Sequence, residues 1–241
     1  MKDGIKEKFF GSFITGLAFA SFMVYGYLYI GIDVRIVDVF CFFLLGLGGY
    51  VYLRLSQYKF FYYFSLSVLA LTIMGVWMLL RWDFYRVIIF VLNCGIIGMY
   101  HSVFRRRVLL KPLVIAVSWI LWLLFFTMHP DVVFYFQQFV WIALLTIPFD
   151  IKSKNTDKIS TIPNRWGVEC AVNLTRFLSL VYLMTSFFVD GWFRLNGVIM
   201  FCLVNIFLSI KSSFYPFRVY YYYDGIIVLQ TLSYYFMKTL F

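Results

Sequence analysis

Apolar residues run along the chain in nine long stretches, at roughly 10–30, 36–53, 60–80, 84–100, 112–128, 132–149, 171–189, 193–210 and 222–240, separated by short polar segments. A helix needs about 20 mostly apolar residues to cross a bilayer, and about 17 is near the lower limit. The pattern predicts an all-α, multi-pass membrane bundle of about nine transmembrane helices. No segment rich in Pro, Gly or Ser interrupts it, and no short-period repeat is present. The chain reads as one transmembrane domain over residues 1–241.

Composition supports the membrane reading. The chain is 63% hydrophobic and 13% charged, with a mean hydropathy of +0.86. With only 5 prolines, long helices stay unbroken, while 30 Phe and 19 Tyr make them bulky and line the membrane interfaces. Lys2, Lys6 and Lys8 precede an apolar run that imitates a secretory signal. That run continues to about Ile30, which makes it a first transmembrane anchor. Cys41, Cys94, Cys170 and Cys202 form no C-x-x-C pair and read as small apolar residues. His101 and His129 read as residues of the membrane interface.

Charge then orients the bundle. With nine spans, Arg35, Arg81, Arg86, Arg194 and Lys238 lie on one side and the rest of the 21 Lys and Arg on the other. Positive residues favour the cytoplasm. The N-terminus and the 150–170 loop are therefore expected inside, in an inner (cell) membrane protein. The net charge of +10 reads as topology plus attraction to anionic lipid. No nucleic-acid module is visible. Arg105-Arg106-Arg107 with Lys111 reads as a positive-inside signal, and Gly46, Gly48 and Gly49 as sites of close helix packing. Asn93, Asn173 and Thr175 read as interhelical hydrogen-bonding residues, and Gln137 and Gln138 as interfacial ones.

Chemistry concentrates after the sixth span. Asp150 and Asp157 are seven residues apart, about two helical turns, with Lys152, Lys154, Lys158 and Arg165 around them. On charge alone this is a solvated basic loop. At a membrane boundary, carboxylates that bind Mg²⁺ and cations that meet a diphosphate are also what ionisation of an allylic diphosphate requires.

Asp150, Asp157, Thr161-Ile162-Pro163 and Gly167 resemble the second aspartate-rich motif of the UbiA superfamily of intramembrane prenyltransferases. Tyr222-Tyr223-Asp224-Gly225 and Pro148-Phe149-Asp150-Ile151 are similar to short, divergent members from Bacteroidetes-type bacteria. The resemblance implies a nine-helix bundle with a cytoplasmic N-terminus. It also implies Mg²⁺ on Asp150 and Asp157 as catalytic residues, an isoprenoid diphosphate donor and a lipophilic acceptor. Ser153 stands where the family has its middle Asp. The first motif, expected after span two, is absent, since no Asp or Glu occurs between Asp38 and Asp83. Arg54 and Lys59 occupy that mouth, and with Lys152, Lys154, Lys158 and Arg165 they are the expected diphosphate ligands. Asp224 could supply a further carboxylate.

Two functions follow. One is a prenyltransferase with a degenerate site. The other is a non-catalytic UbiA-like protein that binds an isoprenoid or other lipid, or serves as a partner subunit in a membrane biosynthetic complex. A transporter has less support, because the spans carry few charged residues at mid-membrane.

Overall fold

The computed structural model describes residues 2–55, 58–80, 83–104, 107–108, 110–154, 161–189, 191–210 and 218–240. Among the described residues there is no strand, and every predicted apolar stretch is a helix. In chain order these are α1 (Lys2–Ile30), α2 (Ile36–Leu55), α3 (Lys59–Leu80), α4 (Phe84–Met99), α5 (Leu110–Thr127) and α6 (Val132–Ser153). A short α7 (Ile162–Trp166) follows, then α8 (Val168–Ser186), α9 (Trp192–Ser209) and α10 (Gly225–Leu240). Seven of them, α1, α2, α3, α5, α6, α8 and α9, are long and apolar enough to cross a membrane. The molecule is thus a helical bundle of the multi-pass membrane type. Helices α4 and α10 have 16 residues each, short of a crossing length on their own. Each adjoins a five-residue π turn, Tyr100–Phe104 after α4 and Tyr220–Asp224 before α10.

Local chemistry sets the helix ends. Asp83 caps α4 by accepting from the Arg86 amide (2.8 Å), and Asp131 caps α6 by accepting from Phe134 (3.0 Å). Gly31, with φ +74°, closes α1, and the Ile32 amide reaches back to the Tyr27 carbonyl (2.9 Å) in a Schellman arrangement.

Packing neighbours run from α1 to α10, α9, α8, α6 and α5, and α5 returns to α1. Helices α2 and α3 lie outside α1, and α4 lies outside α5. Helices α6 and α1 are the most enclosed, with 61% and 56% of their apolar windows buried, against 17% for α3. The interior is filled with large rings, among them Phe22, Tyr25, Phe134, Trp141, Tyr182 and Tyr223. Trp141 stacks on Tyr182 at 4.5 Å between centroids. Helices α1 and α2 approach closely through Gly16 and Gly46: a Cβ on Gly46 would lie 3.1 Å from the Gly16 Cα. Gly48 is equally tight against α3, whereas Gly49 has open space around it.

A polar seam crosses this aromatic core. The Gln137 amide donates to Ser186 (2.8 Å), Gln230 to the Tyr182 hydroxyl (3.0 Å), and Asn196 to the Gln230 carbonyl (3.0 Å). Gln137 and Gln138 are therefore core residues rather than interfacial ones, because α8 supplies a hydroxyl that makes burial tolerable. Asn93 does bond between helices, to Ser118 of α5. Thr175 bonds back to the Ala171 carbonyl of its own helix, and Asn173 is exposed.

Candidate functional site

The charged residues at the Arg54 end of the bundle fall into two groups on different sides of α6. Residues 150 and 152 are two apart on a helix, so they point about 200° from each other. Asp150 turns to α5, where it forms an ion pair with Lys111. Lys152 turns to α1 and the π turn before α10.

The first group is closed. Asp150 is 1% exposed, and the Lys111 side chain 17%. Below it, Ile147 and Ile151 join Val108, Ile162 and Ala171 in a small apolar cluster. That cluster explains the Thr161-Ile162-Pro163 tail: Ile162 and Pro163 are buried and pin α7 against the ends of α6 and α8. Pro148 lies within α6 itself, where its missing N–H leaves the Leu144 carbonyl without the usual helical donor.

The second group is centred on Tyr220. The Lys152 Nζ lies 4.4 Å from the Tyr220 ring centroid and 3.3 Å from its hydroxyl, and pairs with Glu7 at 2.5 Å. The Arg54 guanidinium lies 5.1 Å from the same ring and 4.8 Å from that of Tyr50. Its Nη2 donates to the Thr15 hydroxyl (3.3 Å), which in turn donates to the Asp224 carboxylate (2.6 Å). Tyr50 is held by the Trp119 indole N–H at 3.0 Å. Gly11 makes room for the ring, since a Cβ at that position would sit inside Tyr220. The π turn brings Tyr220 and Asp224 together at this end; such turns recur at functional sites. Arg54 Nη1 is buried and, among the described residues, has no hydrogen-bond partner. A buried donor in that state carries an unmet desolvation cost. An anion entering here would supply the missing acceptor.

The residues expected from the sequence divide accordingly. Arg54 and Lys152 share the Tyr220 group, and Asp150 sits apart with Lys111. Lys59, Lys154 and Arg165 are exposed on the rim of the same end. Asp157 and Lys158 lie outside the described residues. Lys111, Tyr220, Thr15 and Glu7 were not singled out as site residues by the sequence. Arg54, Lys152 and the Tyr-Tyr-Asp-Gly segment around Asp224 were the sequence's pointers to the second group.

Mg²⁺, which the resemblance implies, does not fit the described side chains. The Asp150 carboxylate already carries an ammonium, and Asp224 and Glu7 are engaged by Thr15 and Lys152. Among the described residues no three His, Cys, Asp or Glu come together as a metal site.

The opposite end of the bundle carries simpler polar contacts. Arg35 pairs with Asp38 (2.8 Å) and Arg86 with Asp83 (3.0 Å), each three residues along one helix start. The Tyr29 hydroxyl donates to Asp131. Burial pushes the Asp131 carboxyl up, but that hydroxyl, the Phe134 and Val133 amides and nearby His129 together hold it below the ordinary carboxylate range. No protein-family model, no curated protein and no solved structure matches this chain.

Proposed function

We propose that the protein is a UbiA-like membrane protein of nine spans, with its N-terminus in the cytoplasm of a cell with this inner membrane, that binds an isoprenoid diphosphate at its cytoplasmic end. The observation that carries the reading is the Tyr220 group: two cations from different helices, Arg54 and Lys152, beside one ring, with a buried guanidinium nitrogen that has no acceptor among the described residues. Arginine suits phosphate oxygens because its planar donors match their geometry. Lys59, Lys154 and Arg165 on the rim add long-range attraction. The interior is packed with aromatic rings, so the hydrocarbon tail belongs on the lipid-facing side. A groove of about 350 Å³ lined by Ile5, Phe9, Phe60, Phe61 and Phe64, with Lys6 at its edge, offers an apolar bed there.

Prenyl transfer is the reaction this binding would serve: Arg54 and Lys152 take up the charge of the departing diphosphate while a lipophilic acceptor attacks the allylic carbon. A second reading, binding without turnover or as a subunit of a membrane complex, is favoured by the Lys111–Asp150 pair, which occupies the carboxylate that the resemblance makes catalytic.

Thermal unfolding of the detergent-purified chain with geranyl, farnesyl and geranylgeranyl diphosphates tests the binding. A ligand of the folded state raises the melting temperature. Stabilisation by at least one of them, much reduced in Arg54→Gln, is expected; no stabilisation by any would sink the reading. Release of diphosphate in the presence of a lipid extract separates transfer from binding alone.

A further inference from the structure

We infer that this end of the bundle holds its diphosphate without a divalent cation, because side-chain cations and a hydroxyl already engage Asp150, Asp224 and Glu7, the carboxylates of its two charged groups among the described residues. The inference rests on the head-group reading above and narrows it to a metal-free site.

Mg²⁺ asks for near-ideal octahedral oxygen ligation, usually one or two carboxylates together with waters and phosphate oxygens. At this end, Asp150 is the carboxylate on which the resemblance would place it. Its Oδ1 pairs with the Lys111 ammonium inside a nearly solvent-free pocket. A metal could bind only by pushing Lys111 aside. That would pull Lys111, whose side chain is 17% exposed, away from Asp150 and set two like charges close together where the dielectric is low. The carboxylates of the second group are engaged as well: Asp224 accepts from Thr15 at 2.6 Å, and Glu7 pairs with Lys152 at 2.5 Å. They also lie on the far side of α6 from Asp150, so they cannot complete its shell. At the position of the family's middle Asp stands Ser153, whose hydroxyl lies 3.4 Å from the Asp150 carbonyl.

The cations tell the same story from the other direction. In a metal-dependent site the phosphate's charge is met by the ion. Here Arg54 presents a buried N–H group that has no acceptor among the described residues, and Lys152, paired with Glu7, stands across the same ring. A phosphate oxygen meets that need directly. Lys111 has a separate part: it fills the Asp150 position with a fixed charge of its own.

Two measurements on the full chain in detergent decide the matter. Mn²⁺, followed by electron paramagnetic resonance as a stand-in for Mg²⁺, is titrated into the wild-type chain and Asp150→Asn. Melting with geranylgeranyl diphosphate is compared in EDTA and in MgCl₂. We expect no saturable Mn²⁺ site in the wild-type chain and equal stabilisation in the two buffers. A saturable Mn²⁺ site lost in Asp150→Asn, or stabilisation that vanishes in EDTA, would overturn the inference. Should Asp150→Asn not fold, the wild-type titration and the buffer comparison suffice. If no diphosphate stabilises the chain in either buffer, the head-group reading fails, and the Mn²⁺ titration alone still decides whether Asp150 is open to a metal.

Discussion

The two ends of the bundle use charge in opposite ways. At the Asp131 end, the pairs Arg35–Asp38 and Asp83–Arg86 are three residues apart and secure the start of one helix each. At the Arg54 end the ion pairs are long-range: Lys111 meets Asp150 from 39 residues away, and Lys152 meets Glu7 across the bundle. Local pairs form whenever their helix forms, and exposed ones contribute little. Long-range buried pairs exist only in the assembled bundle and are costly to leave half-made. A molecule that needed charge only for orientation could do with the first kind. The second kind marks the end where charge is held in a defined arrangement.

The sharpest way to break this contrast is to remove one partner at each end. Lys111→Met takes an ammonium away from a buried carboxylate, and we expect a loss of about 3–5 kcal/mol in stability, read by chemical or thermal unfolding. The double variant Lys111→Met/Asp150→Leu should recover most of it. A loss below about 1 kcal/mol in the single variant would mean that the pair behaves as a surface pair, and the contrast would fail. Next in size is Gly11→Ala, which forces a methyl group into the Tyr220 ring. Overpacking of this kind costs about 1–3 kcal/mol. Lipid diphosphate binding should weaken further than stability does, because the ring that orders Arg54 and Lys152 moves. Equal binding in Gly11→Ala and wild type would show that Tyr220 has no part in it.

At the other end the effects shrink. Asp83→Ala removes the α4 cap and the exposed pair with Arg86, for about 1 kcal/mol, and should leave diphosphate binding unchanged. The smallest effect is a dependence on pH. The Asp131 carboxyl is held below its ordinary range in the fold. Its contribution is therefore present above the unfolded value of about 3.9 and is lost as pH falls through the lower folded value. Asp131→Asn should flatten that part of the acid limb of stability relative to wild type; identical acid limbs would contradict the assignment.

Much of the fold was legible in the sequence. The apolar stretches needed only the bilayer's length requirement, and each is a helix in the structure. The shortfalls lie at α4 and α10, where a π turn adjoins a 16-residue α-helix. No hydropathy pattern announces a change in helical pitch. The site was less legible, for a geometric reason. Asp150 and Lys152 are neighbours in sequence and were read together, yet a helix sends them to opposite sides. Lys111 stood in a basic run that topology alone accounted for, so nothing in the sequence marked it as the partner of Asp150. Gln137 and Gln138 were misplaced for the same reason: the Ser186 hydroxyl that makes burial of Gln137 tolerable lies 49 residues away.

The pairing of α1 with α10 has a consequence for how the molecule is made. Thr15 reaches Asp224, the Thr231 hydroxyl donates to the Ser21 carbonyl at 2.8 Å, and Gly11 seats Tyr220. During synthesis α1 leaves the ribosome long before α10 exists. Until α10 packs against α1, α1 carries a polar edge with nothing to face, and Arg54 has no Tyr220 beside it. Docking of α10 is then the step that closes the ring of helices and sets Tyr220 beside Arg54 at once, so a chain stalled before residue 220 would hold α1 with its polar edge unmet.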